Sequence, residues 1–555
     1  MQFLFAAYAR TRLAAIAAAF LTMSTLVDAA ERQSLDAAWA FHLGDSAGAE
    51  AVAFDVSTWR ALDLPHDWSI ELPTDPKATS TGAGGFFQTG IGWYRRSLDA
   101  PAAWAGRRVT LEFEGVSSHA DVWLNGTHLG NHPYGFTPFS FDLTPHLHVG
   151  AENVVSVRVD NSLQPNARWY AGSGIYRHVW LRISDPVHVD PDSLFARTTA
   201  LTDQSATVQV RATVRNDFPA PRTVRVETIL MAPEGRTVAT TSSSEAVIAP
   251  GGEIVVDPEL IVARPRLWSP DSPVQYRATV RVLAAGKTLD EATASFGVRM
   301  VRVSAEHGFE LNGRSLKLRG GNVHHDLGPL GAASFDRAEE RKVALLKAAG
   351  FNAVRTAHNP PSTAFLDACD RAGLLVMDEA FDGWAKGKNP NDYHVEFNDW
   401  WQPDLDPLPG HGVTTIVSGN CGFSAAPVSP DPASRKEMVR IFSFFEDIPE
   451  APFETMLPWD WQRWSDYRRS VESHVKLPAN FATYVGHIAI RVAVMGPAAW
   501  DRVATPDEIR RMADLLDDAL AGGALGMSDN MLDHDGNNRP IPTLVSDDAE
   551  LSALL

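Results

Sequence analysis

The hydrophobic period of this chain changes once, at about residue 315, and that change constrains the fold more than any other feature. From about Leu35 to Ile183 short alternating runs recur, such as RRVTLEFEGV, ADVWLNG, NVVSVRVD and RHVWLRI, broken by Gly, Pro and Asn. A period of two puts alternate side chains on one face, and regular turn signals between such runs predict a β-sandwich, here a jelly roll. From Val187 to about Arg299 further runs follow, ATVQVRATVRN, RTVRVETILMA and QYRATVRVLA, with the Pro-rich ARPRLWSPDSP among them. They predict an immunoglobulin-like sandwich. NGT at 125–127 is formally a glycosylation sequon, but DVWLNGTHLG alternates around Asn-Gly, which predicts a tight hairpin turn.

Beyond 315 strands and helices alternate. SLKLRGGNVHHD, FNAVRTAH and LLVMDEAF read as buried strands, and DRAEERKVALLKAAG and STAFLDACDRAG as amphipathic helices between them. Such an order predicts a parallel sheet with right-handed crossovers, and in a (β/α)8 barrel the strand C-termini line the active site. His324, His325, His358, Asp378 and Glu379 all fall at such ends. Three consecutive strands ending in His or acid make these the candidate site residues. The fold class is therefore multidomain, β then α/β.

At 555 residues the chain exceeds one core, and 45% apolar with 21% charged residues is an ordinary globular composition. A net charge of −19 with no basic run argues against nucleic acid and anionic membrane surfaces as partners. Arg10 and Arg12 precede the apolar run LAAIAAAFLTMSTLV, which ends in small residues at 28–30. This is the pattern of a secretory signal peptide over 1–30, so a periplasmic or secreted location is expected, with no membrane attachment after cleavage. Cys369 and Cys421 lie in segments of different character, and no structural disulfide is expected.

Several stretches from about 35 to 402 resemble glycoside hydrolase family 2, the β-galactosidase and β-glucuronidase family. They are LPHDWSIE (64–71), TGIGWYRR (89–96), RWYAGSGIYRHVWL (168–181), LRGGNVHHDLGPLG (318–331), VRTAHNPPS (354–362) and LVMDEAFDGWAKGK (375–388). The resemblance implies a jelly roll over 31–185, an immunoglobulin-like domain over 186–300 and the first part of a glycosidase barrel over 301–402. It also implies a carbohydrate, β-galactoside-like substrate, with His324 and His358 lining the sugar pocket, Asp378 and Glu379 supporting its floor, and Trp384 stacking on a sugar face. No cofactor is implied: Gly383-Trp384-Ala385 stands where some large members carry a Glu-x-His metal pair. Retaining hydrolysis needs two carboxylates roughly 5–5.5 Å apart. The family's acid/base is the Glu of an Asn-Glu pair, and no Asn-Glu follows Trp401. The chain is therefore expected to be inactive or nearly so.

From about Pro403 the text resembles N-acyl-D-amino-acid deacylases of the amidohydrolase superfamily. HGVTTIVSGNCGFSAAPV (411–428), PWDWQRWSDYRRSVE (458–472), ANFATYVGHIAIRVAVMG (479–496) and TPDEIRRMADLLDDALAGGALGMS (505–528) carry that likeness. It implies an amidohydrolase-like βα fragment over 403–555, with Cys421 at a zinc-ligand position and His487 in a motif outside the ligand set. One thiolate cannot hold a catalytic zinc. Trp401–Asp404 reads as a fusion point, and the hybrid barrel is expected to pack poorly. The alternatives to a glycosidase are a zinc-dependent deacylase fragment and a non-catalytic carbohydrate-binding protein.

Overall fold

The computed structural model describes residues 30–304, 307–383, 387–405, 415–418, 422–445, 450, 453, 457–474, 480–530, 535 and 539–554. The expected signal segment lies outside them except for Ala30. Among the described residues no helix is long and apolar enough to cross a membrane.

Two antiparallel sheets form the first sandwich. One has the order Glu31–Ser34, Val179–Ser184, Arg108–Phe113, Phe139–Asp142, and the other is six-stranded around Gly90–Asp99 and Glu152–Asn161. Their inner faces meet in a core that includes Trp39, Trp68, Tyr94, Leu111 and Val157. Gly92 is required there, because a Cβ would come within 2.7 Å of the Trp68 ring. The expected hairpin joins Ala120–Leu124 to Thr127–His132. Asn125 and Gly126 turn it with φ of 53° and 80°, the left-handed pair that matches strand twist in a two-residue loop.

The second sandwich is built around the long strand Ser205–Asn216 in one sheet and Arg222–Met231 beside Tyr276–Ala284 in the other. Val208, Val210, Val226, Leu230 and Val280 alternate into its core.

Behind them stand parallel βα units. Asn322–Val323, Ala353–Thr356 and Leu375–Met377 pair in parallel, with helices Asp336–Ala348 and Thr363–Ala372 between. Helix Thr363–Ala372 starts at Ser362, whose hydroxyl accepts from Phe365 N, and stops at Gly373 with φ 74°. Glycine at 373 also admits the second sandwich, since a Cβ would lie 2.4 Å from Pro270 O. Two further parallel pairs follow, Thr415–Ser418 with Asn480–Thr483 and Val485–Gly486 with Met527–Ser528. Helix Pro506–Gly522 has a Thr505/Glu508 capping box and ends at Gly523.

Among the described residues the parallel ladder is therefore interrupted rather than closed. The first βα units pack around Val343, Val354, Phe365 and Leu374, and the C-terminal segment around Ile488, Val492, Trp500, Met512 and Leu516. A cavity of about 2000 Å3 runs between both sandwiches and these units, lined by Arg32, Glu112 and Arg299 as well as by Val354, Met377 and Met527.

The fusion point expected at Trp401–Asp404, and the boundary at 402, fall inside helix Phe397–Leu405. Asp404 is buried, with Oδ1 accepting from Thr137 Oγ1 at 2.6 Å and lying 3.0 Å from His132 Nε2, and with Tyr393 OH bonded to Oδ2. A side chain so fully partnered by the first sandwich belongs structurally with the residues before it.

Candidate functional site

Thr356 ends the middle strand of the first parallel sheet, and the chain then turns through His358. Its neighbours end at Val323 and Met377, so His324, His358, Asp378 and Glu379 emerge together at one rim. The His324 and His358 ring centroids are 5.6 Å apart. Glu379 lies against both the strand and the loop: Arg355 Nε donates to its Oε1 at 2.6 Å, and His358 Nδ1 lies 3.2 Å from its Oε2. Asp378 points elsewhere. Thr356 Oγ1 donates to its Oδ1 at 3.1 Å, and burial pushes its carboxyl up to about 7 against the opposing effect of that bond. It supports the strand end, while Glu379 and the two histidines face the rim.

His325, the neighbour of His324, has a different role. It is buried between Phe136 and Tyr176 with Nε2 3.1 Å from Ala171 O, and burial lowers it to about 3. His324 is also lowered, by burial first and then by the charge of His358. Its Nδ1 has no hydrogen-bond partner among the described residues.

The first sandwich reaches into this rim. Arg168 forks onto Asp382, with Nη2 2.7 Å from Oδ1 and Nε 3.2 Å from Oδ2. Burial works to raise the Asp382 carboxyl, but Arg168 and Lys388 outweigh it and hold the group below the usual carboxylate range. Arg177, buried, donates to Pro360 O at 2.7 Å, and Tyr134 OH to Ala380 O at 2.8 Å. Arg355, Arg168 and Asp382 were not singled out from the sequence. Arg168 stood within the quoted RWYAGSGIYR, but nothing local shows that its partner lies 214 residues on.

Trp384 and Cys421 lie outside the described residues. Among those described, no group of three or more His, Cys, Asp or Glu is placed to hold a metal ion. His487 is fully buried, with Nε2 2.9 Å from Glu550 Oε1 and Nδ1 3.0 Å from Thr543 Oγ1. Burial opposes its protonation, but Asp529 and Glu550 raise its pKa.

Two β-sandwiches set in front of a parallel βα rim of His and Glu make up the multidomain architecture of the described residues. The chain belongs to glycosyl hydrolases family 2: its sugar binding domain matches residues 32–186, the central family 2 domain 187–299 and the TIM barrel domain 301–396. Among curated proteins it is similar to the beta-galactosidase BoGH2A of Bacteroides ovatus, 43% identical over 69% of this chain and 45% of that protein. A beta-glucuronidase of Bacteroides fragilis is 30% identical over 58% of this chain and 46% of its own length. The chain thus spans less than half the length of these relatives. A solved family 2 member from Bacteroides cellulosilyticus superposes with a TM-score of 0.70 at 36% identity, covering 90% of this chain and 64% of that one.

Proposed function

We propose that this chain recognises the terminal sugar of a β-galactoside-type glycan at the barrel rim, the site at which a family 2 glycosidase hydrolyses the β-glycosidic bond with retention. The observation that carries the reading is the convergence of His324, His358 and the Arg355-bound Glu379 on adjacent strand ends. Polar groups that alternate as donors and acceptors, fixed by neighbours, suit sugar hydroxyls. A neutral sugar is favoured over a uronate. Arg355 is bonded to Glu379, Arg168 and Lys388 to Asp382, and Lys342 to the His324 and His325 carbonyls, so each of these cations is already committed.

Turnover is a separate matter. Among the described residues Glu379 is the carboxylate bonded to a rim histidine, while Asp378 turns to Thr356 and Asp382 is held by Arg168; a retaining mechanism divides its work between two carboxylates. We expect binding without measurable hydrolysis. The N-terminal basic-then-apolar pattern supports an exported protein, and the motifs after 403 support reading 403–555 as an amidohydrolase-like fragment without its metal site.

The test is a titration of methyl β-D-galactoside and methyl β-D-glucuronide, together with an aryl β-galactoside assay against a buffer control. Galactoside binding abolished by His358→Ala, with no turnover, is the expected result. Turnover lost in Glu379→Gln would show that the chain retains a working catalytic pair, and preferential glucuronide binding would overturn the neutral-sugar reading.

A further inference from the structure

On the side where the first sandwich packs against the rim stands Trp169, with its ring also beside Phe136 at 6.2 Å between centroids. Its ring centroid lies 5.2 Å from that of His358 and 5.8 Å from that of His324, so three rings group at the rim. Trp169 is half-buried, and its indole N–H has no hydrogen-bond partner among the described residues. Each neighbour in sequence is anchored. Arg168 forks onto Asp382, Tyr170 OH donates to Asp67 Oδ2 at 2.6 Å, and Ala171 O lies 3.1 Å from His325 Nε2. Asp67 in turn takes backbone N–H groups from Ala332 at 2.8 Å, Ser173 at 2.9 Å and Ser69 at 3.0 Å. The ring is thus held by a rigid frame drawn from both domains.

We infer that Trp169 is the aromatic platform of the sugar site, so that the first sandwich determines specificity in a pocket otherwise built by the barrel. The inference rests on the carbohydrate reading of the rim and names the contact that selects among sugars. An indole offers a flat apolar face, which suits a ligand with one apolar face; the Trp169 N–H itself is buried. A β-galactoside has such a face: its axial O4 leaves the hydrogens at C3, C4 and C5 on one side of the ring. A β-glucoside divides these hydrogens between its two faces and stacks less well. Trp169 therefore favours galactosides over glucosides, while His324, His358 and Glu379 bond to hydroxyls common to both.

The full-length protein is titrated with methyl β-D-galactoside and methyl β-D-glucoside, with ligand-observed NMR as the readout and thermal unfolding as a control. Trp169→Ala should raise the galactoside Kd roughly tenfold, equivalent to about 1.4 kcal/mol, and leave the glucoside Kd nearly unchanged. Trp169→Phe should retain most of the preference. If Trp169→Ala does not fold, Trp169→Leu keeps apolar bulk without the aromatic face and carries the same expectation. Equal weakening for both sugars, with a lower unfolding midpoint, would show a packing role and overturn the inference. Unchanged binding in Trp169→Ala while His358→Ala abolishes it would also overturn it and leave the rim reading standing. No binding of either sugar by the unaltered protein would remove both.

Discussion

Asp378 and Glu379 are neighbours in sequence with opposite environments. Glu379 meets a guanidinium and an imidazole, whereas Asp378 accepts from the Thr356 hydroxyl and is buried, with the Arg177 charge nearby. Burial raises the Asp378 carboxyl to about 7, so the folded protein holds this proton far more tightly than an unfolded chain. The stability that follows is fully present below the ordinary value near 4 and is lost as pH rises through about 7. An amide keeps the shape without the titration. Asp378→Asn is expected to flatten the fall in unfolding midpoint between pH 5 and pH 8. Parallel profiles for the two proteins would place the titration elsewhere.

Among the elements, the strand Val179–Ser184 and the helix Asp336–Ala348 meet through one imidazole. His178 Nδ1 lies 2.7 Å from Asp36 Oδ2 and Nε2 lies 2.9 Å from Asp336 Oδ1, which joins the first sandwich to the barrel. Although burial opposes protonation, the two carboxylates raise His178 to about 9. The linkage is present in full below the unfolded value near 6.5 and disappears as pH rises through 9. Its size is at most about 3 kcal/mol, less for the part from exposed Asp336. The unfolding midpoint of His178→Asn should therefore fall less between pH 7 and pH 9.5 than that of the unaltered protein. The elements themselves were readable locally. Asn125-Gly126 gives its turn from two residues, and Thr505 with Glu508 gives its helix start from four, because the physics involved spans one turn of chain. The Arg355–Glu379 pair was not readable, since it depends on the register of two parallel strands separated by a helix.

Over the whole molecule, the described residues pack as separate apolar clusters. The sandwiches are packed around alternating apolar residues, and the C-terminal segment has its own apolar cluster. A cavity of about 2000 Å3 runs between both sandwiches and the βα units, lined by charged residues such as Arg32, Glu112 and Arg299 as well as by Val354 and Met527. Among the described residues no strand of the first parallel sheet pairs with a strand of the C-terminal pairs, so the join between them should open well below the global unfolding free energy. Hydrogen exchange is expected to show weaker protection at 485–495 than at 109–124. Limited proteolysis should leave a resistant fragment ending near 300. Equal protection in both regions would mean that the halves form one cooperative core.

The sequence by itself determined the period, and with it the order of two sandwiches and a set of βα units, the hairpin, the helix caps and the strand ends at which His324, His358 and Glu379 emerge. These depend on interactions within one element or between adjacent ones, where spacing along the chain is spacing in space. Tertiary structure alone decided that Asp404 belongs to the first sandwich, that Arg355 holds Glu379, that Asp378 turns away from the rim, and that Trp169 reaches it. Each of these pairs residues from elements that meet only after the domains dock, and docking is set by the shapes of whole faces rather than by any local run of residues.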